Sequence, residues 1–286
     1  MNTEELKKMH ETFLYPVVRV FAQKAAGSGT IIYSKPDPKN PDEYQTFILT
    51  NEHVIDDLIK HKKDWDSLLK QNIEKEFLEM AKVETFSYVN MSTVDSSNRY
   101  NAEIIAYDKA HDLAVLKLDS PRKFEYVAKL IPRERIKDLR LFMDIVVSGC
   151  SLAHEPFCTF GQLTFLKEII DQKRYLMSSG NGYFGNSGGA LFLKDTGELI
   201  GVPSRLTGVQ LGFGIDMVSF MLFSAHPERI YEFIDEQELR FLYDPNDDYY
   251  SAMERRKKKK EEALMALKAE VAKQQVASNR SGGETV

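Results

Sequence analysis

Two cysteines and one tryptophan are all that this 286-residue chain contains of those types. Two thiols cannot build the disulfide framework of a small secreted protein, which fits a reducing, cytoplasmic compartment. No stretch of about 18 apolar residues offers a membrane span. The first 24 residues reach only a short apolar run, 13–21, interrupted by Pro16 and Arg19, and do not read as a signal peptide. Excess charge is scarce too: 38 Lys and Arg against 43 Asp and Glu leave −5, too mild to suggest global attraction to nucleic acid. Ten prolines and 16 glycines, with 43% hydrophobic and 28% charged residues, exclude collagen-like, low-complexity and wholly disordered chains.

What is present is enough chain for about two domains or lobes of roughly 150 residues. The charge is unevenly spread. Residues 251–286 carry nine Lys and Arg against five Asp and Glu, net +4, so the first 250 residues hold −9. The last segment is therefore a different object from the body. It contains six consecutive basic residues, Arg255 to Lys260, and then a helical pattern with Leu264, Leu267 and Val271 on one face. A solvated helix is the expectation; an oligomer or partner protein engaged through it is left open, and nucleic acid is not expected. Residues 281–286 are expected to be disordered.

The body is rich in short β-type runs. Residues 17–21, 30–33, 46–49, 83–88, 102–107 and 113–118 combine β-branched and aromatic residues between turn-forming stretches, and 141–147, 161–165, 190–193, 199–203 and 212–218 repeat the pattern. Residues 63–82 predict a helix, because Trp65, Leu68, Leu69, Ile73, Phe77 and Leu78 recur near a 3.6-residue period. A closing helix is expected over 227–241, opened by Pro227. The expected organisation is a helical lead-in at 1–14, a first β-barrel at 15–120 with a helical insertion near 58–82, a second barrel with its closing helix at 121–244, and the basic extension at 245–286.

Three segments carry chemistry. Thr50-Asn51-Glu52-His53-Val54 follows an apolar strand and puts an imidazole at a strand end. His111-Asp112-Leu113-Ala114-Val115-Leu116-Lys117-Leu118 opens a buried strand with an Asp. Gly185-Asn186-Ser187-Gly188-Gly189-Ala190-Leu191 is a small-residue turn whose glycines let backbone N–H groups near Ser187 converge. Each alone also fits a surface His, a strand cap or a loop. His111 competes with His53, but a strand neighbour of Asp112 points to the opposite face, which favours His53.

Taken together, in the order His, Asp, Ser, these segments resemble the chymotrypsin-like serine protease superfamily, and more closely its HtrA/Deg-type branch. Gly27-Ser28-Gly29-Thr30, Phe160-Gly161-Gln162-Leu163-Thr164 and 197–202 extend the resemblance across residues 17–241. It implies an all-β fold of two chymotrypsin-like antiparallel barrels, with the inserted and C-terminal helices added, acting on protein or peptide substrates without a cofactor or metal. By resemblance Ser187 is the nucleophile, His53 the general base, Asp112 the residue that orients it, and the N–H groups of Gly185 and Ser187 the oxyanion hole. Asn181, six residues before Ser187, resembles the floor of the substrate pocket and offers no carboxylate for a substrate Lys or Arg. Ser204 to Thr207, with Gly212-Phe213-Gly214, are expected to form the far wall; Phe213 either shortens the pocket or packs inward. Digestive members carry Asp where this chain has Asn186, so the loop must be ordered differently, and the resemblance implies control by that ordering.

The expected activity is serine endopeptidase. The sequence leaves open a non-proteolytic binding or scaffold protein on a protease fold, and a protease dedicated to its own chain or one partner. Cys150 and Cys158, with His154 between them, lack the spacing of common zinc motifs and are expected to be reduced thiols. The end, Glu284-Thr285-Val286, resembles a ligand for PDZ domains, while no segment long enough to be a PDZ domain is expected after the protease.

Overall fold

β-Branched residues at 17, 18 and 20 form β1 (Val17–Phe21), which buries Val17, Val18 and Val20 and leaves Arg19 only partly covered. Five more strands close a barrel with it: β2 (Ala26–Asp37), β3 (Asn40–Thr50), β6 (Ala81–Val89), β7 (Thr93–Asp108) and β8 (Leu113–Leu118), in the ring order β1-β2-β3-β8-β7-β6. Full closure leaves no strand edge on this barrel. Its core packs Val18, Val20, Ile31, Ile48, Val83, Ile104 and Leu116.

The second half repeats the architecture. β10 (Asp144–Gly149), β11 (Phe157–Ile170), β12 (Lys173–Ser178), β13 (Ala190–Leu193), β14 (Glu198–Leu211) and β15 (Gly214–Ala225) pair in the order β13-β10-β11-β12-β15-β14, and β13 also pairs with β14, which closes the ring. β9 (Lys129–Leu130) adds in parallel to β14. Ile145, Val147, Leu163, Leu176, Leu191 and Ile200 fill this second core. The structure is a computed structural model and describes residues 2–23, 26–66 and 71–281. It divides into two compact units, Met1–Phe233, which holds both barrels, and Ile234–Val286.

The helix expected near 58–82 is replaced by a β-ribbon. β4 (Ile59–Asp66) and β5 (Gln71–Leu78) pair antiparallel in unbroken register from Ile59 opposite Leu78, and Glu79 N–H closes the base on the Leu58 carbonyl at 3.0 Å. The physical reason lies in what the apolar face would have packed on. Trp65, Phe77 and Leu78 stay exposed, so there is no core to stabilise a 20-residue helix, and most helical stability comes from such packing. Pairing instead sets Lys63 opposite Glu74 and lets Lys75 reach Asp64 at 2.5 Å. Leu68 and Leu69 of the expected face lie outside the described residues.

Before β1, α1 (Thr3–Met9) carries a capping box between Asn2 and Glu5, then continues as a wider turn, His10–Leu14. α2 (Glu52–Ile55) is a single turn after β3. α3 (Pro227–Glu236) ends five residues before the expected 241, and a short 3-10 turn, Arg240–Leu242, follows it. In the second unit, α4 (Tyr249–Ser281) is opened by Asp248, whose carboxylate accepts from Tyr250 N–H at 2.8 Å and Ser251 N–H at 3.1 Å. Of its basic run, Arg255 is paired with Asp247 at 2.5 Å and Arg256 donates to the Gln237 carbonyl at 2.5 Å, while Lys257 and Lys258 pair loosely with Glu261 and Glu262 along the helix. The apolar stripe expected to run through Leu267 and Val271 concerns side chains outside those described, as does the expected disordered end with Glu284-Thr285-Val286. No described helix is long and apolar enough to cross a membrane.

Candidate active site

His53 enters the site because β3 ends at Thr50 and turns at once into α2, where Val54 and Ile55 are buried and anchor the turn while the imidazole stays partly exposed. Asn51, extended at the N-cap, donates its amide to the Asp112 carbonyl at 2.7 Å, so the two segments are joined beside the histidine. Asp112 opens β8 at φ +52°, a left-handed conformation that Asp tolerates better than most residues. That turn aims its carboxylate at His53: Nδ1 lies 2.8 Å from Oδ1 and 3.1 Å from Oδ2, and the His53 backbone N–H donates to Oδ1 at 3.2 Å. Ser204, on β14 of the other barrel, donates to Oδ2 at 2.5 Å.

The electrostatics follow from these contacts. Burial by itself would push the His53 pKa down, but the hydrogen bond and charge of Asp112, with Glu52 and Asp56 nearby, outweigh it and hold the imidazole above its ordinary value. For Asp112 burial pulls upward, and the bonds from His53 and Ser204 overcome it, holding the carboxyl below the usual carboxylate range. Glu52 is displaced upward by burial and by the charge of Asp112.

Ser187 lies in the loop between β12 and β13. Gly188 there has φ +84°, and a Cβ on it would sit 2.1 Å from the Ser28 carbonyl oxygen, so only glycine fits. Ser28 N–H donates to the Ser187 carbonyl at 2.8 Å, and Gly188 N–H donates to the Pro203 carbonyl at 3.0 Å. A methyl on Gly27 would touch both Val54, at 2.7 Å, and the Ser187 carbonyl, at 3.0 Å, so the serine backbone lies against the neighbour of His53. Among the described residues no hydrogen bond joins Ser187 Oγ to His53, a contact that commonly tightens only when substrate is bound.

Among the described residues the N–H groups of Gly185 and Ser187 also have no protein acceptor. The reason is visible one residue earlier. Leu152 N–H donates to the Phe184 carbonyl at 2.7 Å, and in the trans peptide that follows, the Gly185 N–H points the opposite way. Gly185 itself has φ +97° and no room for a side chain, since a Cβ would meet the Cys150 carbonyl at 2.6 Å.

His111 rests its ring 6.2 Å from that of Phe233 and takes no part in the His53–Asp112 pair. Asn181 is exposed, with its carbonyl held by Thr159 Oγ1 at 2.9 Å. The wall role expected of Gly212 and Phe213 is corrected: β14 and β15 stay paired out to Leu211 opposite Gly214, which puts these two residues in the hairpin turn, with Phe213 fully exposed. Gly212, at φ +60° in the first turn position, is what a type II′ turn requires. Ser204, also expected in the wall, is instead the partner of Asp112. Leu206 lies within the stretch expected in the wall, whereas Leu222 was not singled out from the sequence; both crowd Gly182, which a Cβ would bring within 2.5 Å of Leu222 and 3.0 Å of Leu206. Only the tertiary pairing of β14 with β15 brings them there.

Cys150 and Cys158 are free thiols, pushed up by burial to about 12 and about 11, so neither is a reactive thiolate. His154 is exposed, and among the described residues no group of three or more His, Cys, Asp or Glu is placed to hold a metal ion.

The chain resembles a serine endoprotease of Yersinia pestis at a TM-score of 0.52 and 19% identity, over 84% of this chain and 68% of that one. It resembles Deg5 at 0.54 and 20% identity, over 81% of this chain and 94% of that one. A curated yeast protein, Protein DCG1 of Saccharomyces cerevisiae, is 31% identical over 94 residues, so the chain spans about a third of the length of that relative. The fold is thus that of the trypsin-like, HtrA/Deg-type proteases. The model of the trypsin-like peptidase domain matches residues 27–202, well over half of the sequence, and the chain belongs to that family.

Proposed function

We propose that this protein is a serine endopeptidase. The observation that carries the reading is the His53 imidazole fixed through Nδ1 on an ionised, doubly supported Asp112, which leaves Nε2 as the basic nitrogen. Ser187 Oγ attacks the scissile carbonyl while His53 Nε2 takes its proton; the serine hydroxyl is a poor nucleophile without that base. Asp112 stabilises the imidazolium so formed. The carbonyl oxygen becomes an oxyanion between the N–H groups of Gly185 and Ser187, which lack protein acceptors among the described residues. His53 then gives its proton to the leaving amine, and water, activated by the same base, releases the acyl group.

Leu206 and Leu222 beside Gly182, with no carboxylate at position 181, support a pocket for small or medium uncharged side chains. The −9 net charge of the first 250 residues and the basic segment after them support a division of labour in which the extension locates or assembles the enzyme. The test is labelling by a fluorophosphonate probe. Wild type takes up the label and Ser187→Ala does not; a wild-type protein that stays unlabelled while folded overturns the reading and favours a binding protein on a protease fold.

A further inference from the structure

Four residues line up in one row across the first barrel. Ser28 on β2 is directly opposite Arg19 on β1, Arg19 is opposite Glu84 on β6, and Glu84 is opposite Arg99 on β7. Residues paired in this way share a sheet face. The row is tied together: Arg19 Nε donates to Glu84 at 2.8 Å, Arg99 reaches the same carboxylate at 3.3 Å, and Ser97 donates to it at 3.1 Å. Burial pulls the Glu84 pKa upward, but Arg19 overcomes it and keeps the buried carboxylate ionised.

The free end of the row grips the second barrel. Ser28 Oγ accepts from Cys150 N–H at 2.7 Å and donates to the Gly185 carbonyl at 2.6 Å. Arg19 donates to the Ala153 carbonyl. These are the two ends of a turn, 150–153, in which Leu152 and Ala153 both take left-handed conformations, φ +51° and +59°. Non-glycine residues stay in that region only where their surroundings hold them, and the Leu152 side chain is itself exposed and supplies no anchor. The turn supplies the Leu152 N–H that holds the Phe184 carbonyl and so aims the Gly185 N–H away from it, and Ser151 donates to the side chain of Asn186.

We propose that Arg19 and Ser28 are positioning residues for the oxyanion loop. Their cross-strand pair on the first barrel clamps both ends of the 150–153 turn, and the turn holds the Phe184–Gly185 peptide in the orientation that leaves Gly185 N–H available to substrate. The clamp acts from outside the loop, which carries the uncharged Asn186. Arginine suits the task because its planar fork can donate to a carbonyl and a carboxylate together, whereas a lysine offers one compact charge. The inference rests on Ser187 being the nucleophile.

The test compares Arg19→Ala, Ser28→Ala, Arg19→Lys and Glu84→Gln by kcat and KM on a peptide amide, by melting, and by amide hydrogen exchange in a Ser187→Ala background. Arg19→Ala and Ser28→Ala are expected to lower kcat about 10- to 100-fold, less than outright loss of an oxyanion donor, with little change in KM. The acid limb of the pH profile stays in place, because the His53–Asp112 pair is untouched. Arg19→Lys recovers part of the loss, and Glu84→Gln, which leaves Arg19 its bond to Ala153, loses less than Arg19→Ala. Exchange at the Leu152 amide rises in Arg19→Ala. Folded Arg19→Ala with wild-type kcat overturns the proposal, as do equal losses in Arg19→Ala and Glu84→Gln. The exchange experiment needs no activity, so an inert wild-type enzyme refutes the endopeptidase reading while unchanged Leu152 exchange refutes the clamp.

Discussion

Ser204 Oγ donates to Asp112 Oδ2 at 2.5 Å, so a carboxylate at the entry to a strand of one barrel is held by a hydroxyl from the other. Among the described residues the remaining bonds to that carboxylate come from His53, through its ring and its backbone N–H. The proposed catalytic geometry and the packing of the two barrels therefore depend on the same few atoms.

Ser204→Ala removes one hydrogen bond to a charged group, a contribution of about 1.5 kcal/mol at the lower end of such bonds. The expected result is a fall in kcat/KM of about tenfold with the fold retained, checked by peptide hydrolysis beside circular dichroism. Unchanged activity would mean that His53 alone orients the carboxylate.

The pH dependence has a definite sign. With deprotonated His53 as the proposed base, its pKa held by Asp112 above the ordinary imidazole value, the acid limb of kcat/KM is expected to fall above that value. Asp112→Asn lowers kcat by about 10⁴, as the wrong imidazole tautomer is then favoured, and moves the limb downward. The same pair affects stability. The raised His53 contributes stability that is fully present below its unfolded pKa and is lost as pH rises through the folded one. The lowered Asp112 contributes above its unfolded pKa and loses that contribution as pH falls through the folded one. Both contributions are present together between about pH 4 and 6.5, and urea titrations of wild type and Asp112→Asn across that window are expected to differ most there.

Gly188→Ala is expected to cost about 3 kcal/mol or more, since it adds left-handed strain to a clash at 2.1 Å with the Ser28 carbonyl and 2.2 Å with Thr50 Oγ1. The measurement is a denaturant midpoint. A shift as small as that of an exposed Gly→Ala substitution would show that the two barrels are free to part at this point.

Cleavage in a peptide library is expected after small or medium aliphatic residues and to be absent after Lys and Arg, because Leu206 and Leu222 flank Gly182 and no carboxylate stands at 181. Phe213→Ala leaves that preference unchanged, since the ring is fully exposed in the β14–β15 turn. A changed preference in this variant would place the hairpin over the cleft.

The three residues proposed as catalytic stand out in the sequence because each sits in a local signature whose meaning is set by adjacent residues: an imidazole directly after an apolar strand, a carboxylate directly before one, and a serine among glycines that permit φ +97° and +84°. The β-rich character was legible for the same reason, as runs such as 113–118 are buried along nearly their whole length. Residues 59–66 and 71–78 were not. Their apolar spacing fits a helix, and only the absence of a core beneath Trp65 and Phe77 turns them into a paired ribbon. Phe213 was misplaced because the length over which β14 and β15 remain paired is a property of two strands, not of one.

The sequence by itself determined which side chains can do chemistry and in what order they come, since reactivity and backbone permission belong to single residues and their immediate neighbours. The tertiary structure alone decided which of them meet and what holds them: Ser204 on Asp112 across 92 residues, and Arg19 beside Ser28 reaching across to the turn that orients Gly185. Those contacts depend on strand register and on the closure of two barrels against each other, and register is a collective result of every pairing in a sheet, which no local stretch of sequence contains.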